Sequence, residues 1–142
     1  MNMGFRGSIL VVGITLAGAT ASGCTKDDAM SRCQGFAEAS LVSSCAAYRP
    51  TGIVWQGASD AVQFADPNDT TKHGAVFRYD SVEALDTARG FVADNSALAG
   101  LAGSVFVNRE ALLIVRLDRG YTHDLETRIG TASGGELITT AS

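Results

Sequence analysis

The sequence predicts a single α+β domain that follows an N-terminal export signal. The chain of 142 residues is 46% hydrophobic and 18% charged, which is too apolar for a disordered chain and too short for two ordinary domains. Residues 75–79 and 111–117 are short apolar runs typical of strands, whereas residues 82–92 carry apolar side chains at helical spacing. Strands and helices therefore alternate in the second half of the chain.

The segment 1–23 has the three parts of an export signal. Arg6 supplies a positive charge, residues 8–19 form a short apolar core, and small residues precede Cys24. The uncharged run 7–23 is short for a spanning helix, which needs about 20 predominantly apolar residues. We therefore expect residues 1–23 to be removed on export rather than retained as a membrane anchor.

Two cleavage sites fit this segment. Residues 19–21 (Ala-Thr-Ala) suit an ordinary signal peptidase, whereas residues 21–24 (Ala-Ser-Gly-Cys) resemble a bacterial lipobox, in which the cysteine is acylated and becomes the first mature residue. The first residue of this motif departs from the usual pattern, which favours Leu. Acylation of Cys24 would leave Cys33 and Cys45 as an even pair, and this parity favours the lipobox. The predicted location is extracytoplasmic, in the cell envelope, with the domain anchored to the cell membrane by lipid.

The charge balance argues against a nucleic-acid partner. The chain has 11 basic and 15 acidic residues and a formal net charge of −4. Removal of the signal takes away Arg6 and makes this charge −5. The arginines are scattered along the chain, so no basic stripe is available to follow a phosphate backbone. The expected partners are the membrane, through the lipid anchor, and another envelope protein.

The first part of the mature chain is predicted to hold a tether, a helix and a β-hairpin. Residues 24–31 are polar and charged, which is typical of a tether, and residues 35–47 have apolar side chains near helical spacing before Pro50. The β-type runs 53–56 and 61–64 flank a Gly-Ala-Ser-Asp turn, so we expect them to pair as a hairpin.

Cys33 and Cys45 are candidates for a disulfide. On one unbroken helix their Cα atoms would lie about 18 Å apart, whereas a disulfide needs them within about 7 Å. The bond therefore requires a chain reversal, and Gly35 is the nearby residue best suited to one. Export to an oxidising compartment favours the bond over two small buried thiols.

The second half of the chain follows a β-α-β-β-α-β order after a turn-rich loop at 66–74. Strands are predicted at 75–79, 104–107, 111–117 and 136–140, and helices at 82–94, capped by Asp80 or Ser81, and 121–131. This order is the split βαβ, or ferredoxin-like, pattern. Its first and third strands are central, and its second and fourth are outer strands. We assign residues 32–142 to this single domain.

No group of residues has the spacing of a known catalytic or metal site. His73 lies in the polar loop and His123 near the start of a helix, without the spacing of a ligand set, so both are interpreted as surface residues. Asp66, Asn68 and Asp69 lack the repeating acidic positions of a calcium loop. A nucleophile elbow, a phosphate-binding glycine loop and a dinucleotide motif are missing from the sequence. We predict no catalytic residue, no metal and no cofactor.

The aromatic residues fall mostly in predicted strands, where such side chains are usually part of the core. Trp55 has a second interpretation, because Tyr48 and Pro50 are close to it in sequence. These residues would then form the edge of a binding surface.

Residues 76–85 (VFRYDSVEAL) and 105–115 (VFVNREALLIV) resemble segments of small actinobacterial lipoproteins of uncharacterised role. In those proteins a strand, a capped helix and a hairpin with an Asn-centred turn follow a lipobox. The likeness covers about half of the mature chain, and phages of such hosts also encode small lipoproteins. It implies an exported, lipid-anchored protein and transfers no catalytic residue.

Three functions are compatible with the sequence. The leading hypothesis is a lipoprotein that is not an enzyme and binds another envelope component. The second is a phage- or prophage-encoded lipoprotein for superinfection exclusion, which blocks DNA entry or adsorption of related phages. The third is a small enzyme that uses Cys33, Cys45, His73 or His123.

Overall fold

A computed structural model describes residues 28–50, 55, 57–94 and 103–139, which form three helices and six strands. The helices are α1 (Ala29–Glu38), α2 (Val82–Asp94) and α3 (His123–Ser133). The strands are β1 (Ser43–Ala47), β2 (Asp60–Asp66), β3 (Asp69–Arg78), β4 (Val105–Asn108), β5 (Leu113–Leu117) and β6 (Glu136–Thr139). No helix in the described ranges has the length and apolar character needed to cross a membrane. The predicted signal and Cys24 lie outside the described residues.

All six strands form one antiparallel sheet in the order β1-β2-β3-β5-β4-β6. The prediction of a mixed α+β domain is therefore confirmed. Among the described strands, β1 and β6 form the two edges of the sheet.

The ferredoxin-like strand order is not found. The predicted sequence of elements from β3 to β6 is present, but β6 pairs with β4 through Phe106 and Leu137 and not with β3. The free side of β3 is already taken by β2, with Val62 opposite Val76. Consequently β4, predicted as an outer strand, lies inside the sheet between β5 and β6.

The predicted loop at 66–74 is mostly strand. The chain turns at Pro67 and Asn68, where the Asn68 N–H donates to Asp66 Oδ1 (2.8 Å), and continues directly into β3. β2 therefore forms its hairpin with β3 and pairs on its other side with β1. The strand predicted at 53–56 lies outside the described residues except for Trp55.

The first helix lies earlier in the chain than the predicted range of 35–47. Asp28 caps it by accepting a hydrogen bond from the Ser31 N–H (2.7 Å), and Gly35 lies within the helix rather than at a turn. The chain reverses after the helix, where Ser40 has a positive φ of 62°, and then enters β1. Residues 29–31, predicted as part of the tether, are thus helical.

This reversal brings Cys33 of α1 next to Cys45 of β1. Their Sγ atoms are bonded at 2.07 Å and their Cα atoms are 6.0 Å apart, in agreement with the predicted disulfide. The reversal that the bond requires is made by residues 39–42 and not by Gly35.

Alternate residues along the strands pack on opposite faces of the sheet. One face, the α1/α3 face, packs on helices α1 and α3 and includes Val62, Phe64, Val76, Phe106, Leu113, Val115 and Leu117. The other, the α2 face, packs on α2 and includes Ala61, Ala75, Phe77, Val105, Val107 and Ile114. The domain therefore has two apolar cores, one on each side of the sheet.

Helices α2 and α3 lie close to their predicted ranges. Ser81, rather than Asp80, caps α2, because its Oγ accepts a hydrogen bond from the Ala84 N–H (3.1 Å). Thr122 caps α3, which ends at Gly134 with a φ of 68°, in the left-handed region favoured by glycine. Both helices begin where a short polar side chain satisfies a free N–H group of the first turn.

Candidate functional site

The two cysteines that could act as nucleophiles are joined to each other. The Cys33 side chain is fully buried and the Cys45 side chain is partly buried, and both sulfur atoms belong to the disulfide. A sulfur in a disulfide is not a thiolate, so neither cysteine has the form required of a nucleophile or metal ligand. The third predicted cysteine, Cys24, lies outside the described residues.

The two histidines are on different sides of the sheet. His73 lies in β3 and its side chain belongs to the α2 face, whereas His123 is the first residue of α3 and is exposed. In the described part of the chain, no three His, Cys, Asp or Glu side chains lie close enough to hold a metal ion. The structure thus separates the histidines that an enzyme of the third hypothesis would use.

The acidic residues near the β2–β3 turn are engaged in local hydrogen bonds. Asp66 is buried and accepts from the Asn68 N–H, while Asp69 accepts from Lys72 Nζ (2.6 Å) and from the Thr71 hydroxyl (2.6 Å). The hydrogen bond from Lys72 is the main cause that holds the pKa of the Asp69 carboxyl well below its ordinary value. These hydrogen bonds build the turn between β2 and β3.

An arginine and three aromatic residues form a cluster on the α2 face. Trp55 stacks on Phe77, with ring centroids 4.4 Å apart and planes within 3° of parallel. The ring centroids of Tyr48 and Phe77 are 6.2 Å apart. The guanidinium carbon of Arg116 lies 5.9 Å from the Trp55 ring and 5.8 Å from the Phe77 ring. Arg116 Nε is also 3.6 Å from Asp118 Oδ1. The positive charge therefore lies close to both stacked rings and to one carboxylate.

This cluster is part of the core and not a binding platform. Trp55 is only 4% exposed, so its indole has no free face for a ligand, and its interpretation as the edge of a binding surface is wrong. Tyr48 is partly buried, and burial is the main cause that raises the pKa of its phenol despite the nearby Arg116 charge. Tyr48 and Pro50, in contrast to Trp55, do line an open cleft.

That cleft has a volume of about 610 Å³ and lies where β2 begins. Its walls are residues 47–50 and 58–61, with the exposed Arg49 among them. At its base, Asp60 Oδ2 accepts a hydrogen bond from the Ala29 N–H (2.9 Å), which joins the first turn of α1 to the start of β2. The cleft is open and mixed in polarity, and it contains no histidine or cysteine.

A groove of about 490 Å³ runs between α3 and the edge strand β6. Phe106 and Leu137 provide its apolar surface, and His123 and Glu126 lie along α3. Glu126 Oε2 is held in place by a hydrogen bond from the Ser104 hydroxyl (2.6 Å). Leu137 is 47% exposed, the largest exposed fraction of any large apolar side chain in the described residues.

Two glycines allow the floor of this groove to form. A Cβ on Gly130 would lie 2.5 Å from the Phe106 ring, and one on Gly135 would lie 3.2 Å from the Phe106 Cβ. Because positions 130 and 135 are glycines, the Phe106 ring can occupy the space that a side chain at either position would fill. Sequence reasoning placed Leu137 in a strand but had no signal for its exposure, since that depends on which strand lies beside β6.

A second, smaller groove of about 360 Å³ lies on the opposite side of β6, against α2. It is formed by Arg89, Gly90 and Ala93 of the helix together with residues 136–138. The edge strand thus has open space on both faces, and its outer main-chain groups pair with no described strand.

No protein-family model matches the chain, and no curated protein and no solved structure is significantly similar to it.

Proposed function

We propose that this chain is an exported protein, anchored to the cell membrane by lipid on Cys24, that binds another protein of the cell envelope and catalyses no reaction. The observation that carries the proposal is the disulfide between Cys33 and Cys45. Such bonds form and persist outside the reducing cytosol. It supports export independently of the N-terminal segment and uses both cysteines that remain once Cys24 is acylated.

The edge strand β6 is the surface that we assign to the partner. Its outer N–H and C=O groups pair with no other described strand, so an extended segment can add there, as in strand addition to a sheet edge. Side chains of an added strand point alternately to the two faces. One set would enter the groove beside α3, against Phe106 and Leu137, and the other set would enter the groove beside α2.

The chemistry of the grooves indicates what the added segment presents. Towards α3 it meets apolar carbon from Phe106 and Leu137 and the carboxylate of Glu126, which suits a long side chain with an apolar stem and a basic tip. Towards α2 it meets the small residues Gly90 and Ala93, which leave room for a side chain next to the Arg89–Glu136 ion pair (3.9 Å). The occupant is thus an extended, basic and apolar segment of an envelope protein.

Site-specific photocrosslinking in producing cells tests this assignment. A photoreactive phenylalanine at Leu137 is expected to give one discrete protein adduct, because that side chain lies at the centre of the proposed surface. The same group at Asn68, which is exposed in the turn between β2 and β3, serves as the matched control and is expected to give no adduct. Equal crosslinking at both positions, or none at Leu137, would contradict the assignment.

A further inference from the structure

We infer that the lipid on Cys24 holds the domain in one orientation, with the end of the sheet at which β2 begins against the phospholipid headgroups. This end, called the anchor end, comprises Asp60, Arg78 and residues 109–112. The opposite end, called the distal end, comprises residues 67–69 and 118–120. The inference rests on the proposed anchor at Cys24 and adds to it the surface that meets the membrane.

The first step is the length of the chain between the lipid and the fold. Asp28 is the cap of α1, and only residues 25–27 separate it from Cys24. Four residues span at most about 14 Å even when fully extended. The start of α1 therefore stays within this distance of the acylated residue, whatever conformation the link adopts.

The second step is that α1 is fixed to the sheet and cannot swing away from it. The Ala29 N–H donates to Asp60 Oδ2 (2.9 Å), and the disulfide joins the middle of the helix to β1. The side chains of Ala29, Cys33 and Phe36 are buried in the core of the α1/α3 face. A limit on the distance between the first turn of α1 and the membrane therefore also keeps the adjoining end of the sheet near the membrane.

The third step is the position of this turn within the sheet. Asp60 is paired with Arg78, and Arg78 is paired with Leu113, so the start of β2, the end of β3 and the start of β5 lie at one end. The β2–β3 turn lies at the other end of these strands. The seven residues of β2 span about 20 Å, which is more than the link can reach.

The cleft that Asp60 helps to line adjoins the anchor end and gives it a surface suited to headgroups. Arg49 is exposed there and forms no ion pair with another described residue, so its guanidinium is available to a lipid phosphate. The distal end then points away from the bilayer.

Paramagnetic broadening by lipid tests this orientation without altering the domain. The acylated protein from producing cells, labelled with ¹⁵N, is placed in nanodiscs that contain a lipid with a gadolinium-chelating headgroup. We expect the amide signals of residues 59–60 and 109–112 to be strongly attenuated. The signals of residues 67–69 and 118–120 are expected to keep most of their intensity. Equal attenuation of the two ends, or the reverse order, would overturn the inference.

A longer link is the matched control. An insertion of about twelve Gly and Ser residues after Thr25 lets the domain tumble relative to the membrane, because such linkers behave as flexible coils. The difference between the two ends is expected to shrink severalfold. If the longer link left the difference unchanged, the short link would not be its cause and the inference would fail.

The inference and the proposed function fail in different ways. A protein that leaves the cell without acyl groups would contradict the proposed function. The orientation would still be tested by coupling the disulfide-intact chain 24–142 through the thiol of Cys24 to a maleimide lipid in the same nanodiscs. The gradient between the anchor end and the distal end then depends on the link and on the headgroup contacts, and not on acylation of Cys24.

Discussion

Replacement of Gly103 by alanine is expected to lower the free energy of unfolding by about 3 kcal/mol, at the upper end of the usual cost of overpacking. A Cβ at this position would lie 1.8 Å from the carbonyl oxygen of Leu117 and 2.6 Å from the carbonyl carbon of Asp118. These are main-chain atoms, and the Leu117 N–H also donates to the Ser104 carbonyl (2.8 Å). The added methyl group can be accommodated only if β4 and β5 move apart where they meet.

Urea denaturation of the purified mature chain, followed by circular dichroism, measures this effect. Gly90→Ala is the matched control, since Gly90 is exposed in α2 and a Cβ there meets nothing within 4 Å. That variant is expected to be more stable than the parent by about 0.5–1 kcal/mol, because alanine is the better helix former. A Gly103→Ala variant as stable as the parent would show that the two strands are not packed as closely as described.

Loss of the disulfide is expected to destabilise the domain by about 3 kcal/mol. The bond spans 12 residues and restricts the unfolded chain, and in the chain-entropy description a loop of this size accounts for that amount. It also joins α1 to β1, an edge strand that pairs with β2 and with no other described strand. The helix and this strand are therefore the parts expected to open first in the reduced protein.

Thermal unfolding with and without a reducing agent tests this prediction. The parent protein is expected to unfold at a clearly lower temperature when reduced. The Cys33→Ala/Cys45→Ala variant is expected to unfold at the same temperature with and without the reducing agent. Thiol titration of the denatured protein verifies that the bond has been broken. A reduced parent with two additional free thiols and an unchanged midpoint would contradict a stabilising role for the bond.

Elements with strong local signals were predicted well from the sequence. Helices α2 and α3 combine an apolar stripe with a polar cap, and β5 is a continuous apolar run, so local preference and burial agree in each. The first helix was misplaced because apolar residues from α1, the turn and β1 together imitate helical spacing across 36–48. Ser40 makes the reversal with a positive φ, and serine gives little indication of such a conformation in a sequence.

The order of strands could not be read from periodicity. The position of β6 depends on β2, which occupies the side of β3 that the ferredoxin-like order leaves for the last strand. One signal did exist in residues 105–107, Val-Phe-Val, which are buried without alternation. A strand that is apolar on both faces is typical of the interior of a sheet, so β4 was identifiable as an inner strand.

The candidate surfaces were only partly accessible to sequence reasoning. The disulfide could be predicted from the sequence. Acylation of Cys24 leaves an even pair of cysteines, and the predicted export places this pair in an oxidising compartment. The grooves beside β6 depend on contacts between distant parts of the chain, such as Gly130 against Phe106. The position of Arg116 near Phe77 and Trp55 could not be predicted, because these residues are distant in sequence and approach it only once the sheet has formed.

The mass of the intact protein from producing cells, measured without reduction, tests the central claim most directly. We predict a chain that begins at Cys24, is heavier by the mass of its acyl groups, and gains two hydrogens when the Cys33–Cys45 bond is reduced. This single result would establish export, the anchor and the disulfide together. A chain that begins at Ser22, carries no lipid and does not change on reduction would contradict the account.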